Sequence, residues 1–108
     1  MQTLVIYDIG DDRLRSRVER ACRDHAMVRT QYSAFLGELD DTRRKRLIQC
    51  VLELVEERKA EETPDQKAQA LFILVFPMCA ADFAKATAIT REGNGPADPV
   101  ALPAVLIL

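Results

Sequence analysis

Residues 3 to 12 read Thr3-Leu-Val-Ile-Tyr-Asp-Ile-Gly-Asp-Asp12. An unbroken apolar run ends in Asp8, and a short turn leads into the arginine-rich stretch Arg13-Leu-Arg-Ser-Arg17. A run of this length closed by a turn predicts a strand, Thr3 to Tyr7, buried on both faces. A carboxylate at the tip of a strand is held on a rigid element, beside loops and basic side chains. Such a place suits a hard cation or a phosphate. The plainer alternative is that Asp8 only shapes the turn.

Outward from this strand the periodicity changes. Asp11 or Asp12 can cap a helix from about Arg13 to His25, with Leu14, Val18, Ala21 and Cys22 at helical spacing. Met27 to Leu39 predicts two short strands bent at Tyr32-Ser33. Gly37 marks a bulge or a close backbone approach in the second of them. Asp40-Asp-Thr42 starts a second helix running to about Arg58. Its buried stripe is Leu47, Val51, Leu54 and Val55, with Ile48 and Leu52 beside them. Arg43-Arg-Lys-Arg46 occupies its first turn, where the helix dipole disfavours cations, so a binding role gains weight. Pro64 ends any helix near Thr63. Ala70 to Phe76 predicts another buried strand closed by Pro77, then a helical turn over Asp82 to Ala86 and a short edge strand over Ala86 to Thr90.

The order β-α-β-β-α-β predicts an α+β, ferredoxin-like sandwich with both helices on one sheet face. The opposite face has no cover within the chain, so a two-fold homodimer is expected to bury it. Residues 1–92 form the expected ferredoxin-like domain. Residues 93–108 are expected to be a Gly- and Pro-containing linker followed by an apolar tail, Ala104 to Leu108, which either docks as an extra strand or frays.

At 108 residues the chain supports a single core. With 48% hydrophobic and 30% charged residues it is globular rather than disordered. No secretory signal and no bilayer-spanning run is evident, so no membrane association is expected. Cys22, Cys50 and Cys79 show no metal-type spacing and sit among apolar neighbours, which fits a reduced cytoplasm. Residues 13 to 46 hold ten Lys and Arg against five acids, and the remainder holds five against twelve. Segregated charge of this kind suits a polyanion on one side. The acidic remainder argues against unselective DNA coating.

Three blocks then carry a family resemblance: Val5-Ile-Tyr-Asp-Ile9 with Asp11, Asp12, Arg15 and Arg17; Arg29-Thr-Gln-Tyr-Ser-Ala-Phe-Leu-Gly-Glu-Leu39; and Phe72-Ile-Leu-Val-Phe-Pro77. From Leu4 to about Ile89 the chain resembles the small CRISPR-associated adaptation protein, the Cas-two family of antiviral defence. The resemblance implies a ferredoxin-like homodimer acting in spacer acquisition, where it bridges copies of the CRISPR integrase subunit along captured DNA. It also implies a metal-dependent endonuclease, a hydrolase acting on phosphodiester bonds of RNA or duplex DNA. Carried over by position, Asp8 is the metal-binding aspartate. Tyr7, Arg15, Arg17, Arg29 and Phe35 surround the nuclease site or the nucleic acid.

One aspartate falls short of the octahedral oxygen shell of Mg²⁺ or Mn²⁺. Two Asp8 residues meeting across a dimer axis would supply a second carboxylate, and the metal could then activate water for in-line attack. Arg15 and Arg17 are expected to hold flanking phosphates. Arg13, Arg15, Arg17, Arg43, Arg44, Lys45 and Arg46 form the expected nucleic-acid surface. Phe35 is open to base stacking or core packing, and Tyr7 to a structural place with its hydroxyl at the sheet end. Two alternatives stand beside the enzyme: a non-catalytic nucleic-acid scaffold, and a regulatory ferredoxin-like module.

Overall fold

A computed structural model of the chain describes residues 1–85, 87–91 and 93–96. Its centre is strand β1 (Gln2–Ile9), which pairs antiparallel with β3 (Ala34–Glu38) on one side and β4 (Leu71–Met78) on the other. Strand β2 (Val28–Gln31) pairs with β3, giving the antiparallel order β2-β3-β1-β4. Helix α1 (Asp12–Asp24) links β1 to β2, and α2 (Asp41–Ala60) follows β3. The α+β, ferredoxin-like sandwich expected from the element order is therefore present.

The helix starts follow the carboxylates. Asp11 accepts the Leu14 N–H at 2.7 Å, and Asp40 accepts the Arg43 N–H at 2.7 Å. Each satisfies a first-turn donor that has no partner inside its helix. Helix α1 ends in a Schellman arrangement. Met27 N–H bonds the Cys22 carbonyl at 3.1 Å, and Ala26 N–H bonds that of Arg23 at 3.0 Å. The motif demands a left-handed residue, and Ala26 sits there at φ 60°. Ala26→Gly should relieve that strain and raise stability by about 0.5–1 kcal/mol, read as a higher denaturant midpoint with unchanged slope.

One sheet face packs on the helices. Val5, Tyr7 and Ile9 meet Leu14, Val18 and Cys22 of α1, while Leu39, Leu47 and Val51 close the core from the side of α2. Each large side chain buried here contributes roughly 1.5–3 kcal/mol. Gly37 lies in this face because a Cβ there would come within 3.1 Å of the Met27 Cα. The close approach is thus the reason for the glycine. The irregular register falls instead on β2, between Arg29 and Gln31.

The other face corrects two expectations. Neither β1 nor β4 is buried on both sides. Along β1 alternate residues turn outward, leaving Ile6 at 38% and Asp8 exposed. Along β4, Phe72 at 57%, Leu74 at 40% and Phe76 at 50% do the same. Continuous apolarity came from a sheet whose second face has no cover within one chain. Pro77 does not close β4 but lies inside it, opposite Thr3. It is tolerated because β4 is an edge strand, where a missing N–H breaks no ladder.

Smaller differences follow. Pro64 opens a short helix, α3 (Pro64–Lys67), through a Thr63–Gln66 capping box. The helical turn expected at Asp82 to Ala86 is α4 (Ala80–Ala84). The expected edge strand, β5 (Thr87–Thr90), pairs with β6 (Gly93–Pro96) in a separate two-stranded sheet. The first residues of the expected linker are therefore extended and paired. Residues 97–108, including the tail Ala104 to Leu108, lie outside the described residues. On α2, Leu47 and Val51 are buried and Leu54 and Val55 partly so, whereas Leu52 is exposed. Cys22 is buried and Cys50 half-buried, but Cys79 is exposed, its sulfur capping α4.

Candidate active site

The sharp exit from β1 gathers the site. Gly10 N–H bonds the Ala70 carbonyl at 2.8 Å, tying the strand end to the start of β4. Asp11 then caps α1 and also accepts from Arg58 at 3.2 Å, across from the end of α2. The Leu14 N–H and, second, the Arg58 guanidinium hold the Asp11 carboxyl below its usual range. Asp11 is thereby committed to structure, as the capping reading of the turn expects.

Beyond the β1 tip lies an open hollow of about 410 Å³, lined by Tyr7, Asp8, Arg15, Glu19, Arg29 and Tyr32 among others. Four of the sequence-derived residues, Tyr7, Asp8, Arg15 and Arg29, are thus brought to one place. Asp8 is exposed, and its side chain makes no hydrogen bond or ion pair with the described residues. Arg15 is tethered, donating to the Ile9 carbonyl at 3.0 Å and pairing with Asp12.

Glu19 was not anticipated, yet it is the hub. Its Oε2 accepts from the Tyr7 hydroxyl at 2.5 Å and pairs with Arg29 at 2.9 Å. The cluster is sheltered, with the Glu19 side chain 14% exposed and that of Arg29 24% exposed. The Tyr7 hydroxyl oxygen also lies 2.8 Å from the Tyr32 carbonyl oxygen, and the Tyr7 N–H donates to the Ser33 carbonyl at 3.0 Å, so β1 holds the β2–β3 turn by two contacts. Burial first, then the Glu19 carboxylate, push the Tyr7 hydroxyl well above the phenol range. Burial and, second, the charge of Glu19 push the Cys22 thiol up to about 12, leaving it unreactive. The available cue to Glu19 was its place four residues after Arg15, beside the apolar stripe at Val18.

Phe35 is fully buried beneath this network. It stacks against Tyr7 with ring centroids 6.3 Å apart, and the Arg23 and Arg29 guanidinium carbons lie 5.6 and 5.4 Å from its ring centre. Between base stacking and core packing, the structure assigns it to the core, beneath Tyr7 and Arg29. Arg17 is not in this hollow. It reaches Glu57 of α2 at 3.4 Å and, with Arg13, lines a neighbouring depression beside Asp11 and Arg58. On the first turns of α2, Arg44 is held by Asp41 at 2.9 Å, while Arg43, Lys45 and Arg46 are exposed.

One carboxylate does not furnish a divalent-metal site. Among the described residues no group of three or more His, Cys, Asp or Glu side chains could hold a metal ion. Within a single chain the donor set therefore does not fit Mg²⁺, which takes six oxygens at 2.0–2.1 Å in near-ideal octahedral geometry. Among the described residues, too, no helix is long and apolar enough to cross a membrane.

Residues 1–86 match the family model described as CRISPR associated protein Cas2. The chain is 30% identical over 96 residues to a CRISPR-associated endoribonuclease Cas2 of Desulforudis audaxviator, covering 89% of this chain and 80% of that protein. Over 98 residues it is 33% identical to a namesake from Korarchaeum cryptofilum, covering 89% and 94%. A shorter match, 55% identical over 47 residues, joins it to a Cas2 of Chloroflexus aurantiacus, covering 44% of this chain and 55% of that protein.

Proposed function

This chain belongs to the CRISPR-associated Cas2 family, and from that membership we propose that it acts as a homodimeric endonuclease on phosphodiester bonds. The observation that carries the reading is Asp8, an exposed carboxylate at the tip of β1, on the same uncovered face as Ile6, Phe72, Leu74 and Phe76. A second copy covering that apolar face would bring its own Asp8 toward the first. Two pooled carboxylates meet the donor requirement that one chain leaves short, with Mg²⁺ or Mn²⁺ as the cation. A cation bound there would neutralise charge at the scissile phosphate. The chain's own residues do the rest. Arg15 and Arg29, in the same hollow, grip flanking phosphates. Tyr7 lines the hollow, and the buried Phe35 supports Tyr7 and Arg29 from within the core.

The test is assembly coupled to cleavage. Leu74 faces the open side opposite Ile6, two residues before Asp8. Leu74→Asp should leave the fold intact, because Leu74 is outside the core. It should turn a dimer into a monomer by sedimentation velocity and abolish divalent-dependent cleavage. A variant that still dimerises and cleaves would end the shared-site reading.

A second reading has its own observation. The exposed Arg43, Lys45 and Arg46 form a basic turn at the start of α2, outside the Asp8 hollow. They suit a duplex backbone, whose binding is driven by counterion release. On this reading the dimer serves spacer acquisition as a scaffold, bridging copies of the CRISPR integrase subunit on DNA without cleaving anything.

A further inference from the structure

We propose that Glu19 is a positioning residue of the Asp8 hollow: its carboxylate fixes Arg29 and Tyr7 in place and neutralises the Arg29 charge until a phosphate competes for it. The inference rests on the nuclease reading for its turnover arm alone. The contacts motivate it directly. Glu19 lies on α1, Tyr7 on β1 and Arg29 on β2, so one carboxylate joins three elements at the rim of a single hollow.

The distances are short, 2.5 Å to the tyrosine oxygen and 2.9 Å to the guanidinium. Both partners are constrained from the other side as well. Arg29 lies over the Phe35 ring, and Tyr7 is anchored to the turn carrying Tyr32 and Ser33. A sheltered ion pair of this kind interacts more strongly than one in open water. With Arg29 paired, the hollow presents Asp8 with less opposing charge than its two arginines imply. Three neighbouring groups share this balance: Asp12, which already occupies Arg15; Asp8 itself; and Arg23, whose guanidinium carbon lies 5.6 Å from the Phe35 ring centre.

A merely structural glutamate and a positioning one respond differently to Glu19→Gln. The amide is isosteric and can still accept from Tyr7, but it carries no charge. If Glu19 positions and neutralises Arg29, the variant frees one guanidinium for phosphate. Binding of a short DNA duplex or a short single-stranded RNA should then tighten at low salt. The slope of log Kd against log salt should steepen by about one. Turnover should fall about tenfold or more, because the freed guanidinium no longer sits where the scissile phosphate needs it. KM should not rise. The steepened slope should vanish when Arg29→Gln is added, since it reports that one cation. Glu19→Asp, which keeps the charge, should retain the wild-type slope.

A Glu19→Gln protein that melts like the wild type yet keeps the wild-type salt slope would overturn the proposal. So would a steepened slope that persists in the Arg29→Gln background. If the wild-type protein cleaves neither nucleic acid, the nuclease reading falls. The salt-slope comparison then still decides whether Glu19 governs the Arg29 charge.

Discussion

Asp8→Asn should lower divalent-dependent cleavage by at least about a hundredfold while leaving the melting temperature almost unmoved. The first half follows from the magnitude of metal assistance. Lewis-acid stabilisation of a phosphoryl oxygen amounts to several kcal/mol, and each 1.36 kcal/mol is a factor of ten in rate. The second half follows from exposure. The Asp8 side chain makes no hydrogen bond or ion pair with the described residues, and surface changes of this kind stay within about 0.5 kcal/mol.

A third arm makes the result specific. If two Asp8 carboxylates meet across the dimer, they repel when no cation lies between them. In the presence of a chelator the Asn variant should therefore dimerise more tightly than the wild type, by sedimentation at several concentrations. Wild-type cleavage by Asp8→Asn would remove this residue from the chemistry. The scaffold reading would then be favoured if integration with the partner subunit survived Asp8→Asn but failed when Arg43, Lys45 and Arg46 were neutralised.

Phe35→Ala should produce the largest loss of stability. The ring is fully buried, and truncating a buried Phe costs about 3–5 kcal/mol through lost transfer energy and the cavity left behind. Against the roughly 5–15 kcal/mol that holds a typical domain together, that is a large share. The Tyr7 stack and the Arg23 and Arg29 contacts over the ring are lost with it. Urea unfolding is the measurement. A loss below about 1 kcal/mol would mean that the surroundings collapse into the space. Phe35→Leu, which keeps much of the volume, should lose far less and retain the fold for functional assays. Because Phe35 lies beneath Arg29 and Tyr7, Phe35→Leu should also weaken cleavage without altering any residue exposed to substrate.

Local patterns made much of this legible. Asp11 and Asp40 declared helix starts because a carboxylate before an apolar stripe has a donor to satisfy. Tyr32-Ser33 marked the bend, and the uncovered sheet face followed from having both helices on one side. The short helix at Pro64 was legible too, since Thr63-Pro-Asp-Gln66 carries a capping box with proline in the first turn. Proline is as much a starter as a stop: its missing N–H costs nothing in the first turn of a helix. Pro77 is a different case. Whether a strand tolerates proline depends on its being at a sheet edge, and edge position is a property of strand order.

Alone, the amino-acid sequence determined the order of the four sheet strands and two long helices, and with it the α+β sandwich, because alternation and helical spacing are short-range signals that need no partner; the family resemblance rested instead on the three blocks around Tyr7-Asp8, Arg29 to Leu39 and Phe72 to Pro77. It also named much of the candidate site, Asp8 by its place at a strand tip and Tyr7, Arg15 and Arg29 through the family resemblance. Only the tertiary structure decided which charges pair. Arg58 meets Asp11 across 47 positions, and Glu19 of α1 meets Arg29 of β2 through the packing of three elements. Arg17 is drawn away by Glu57, and Phe35 sinks into the core instead of facing a base. The physical reason is that ion pairing and burial depend on distance in space and on solvent access, and a chain's local pattern specifies neither until its elements have packed.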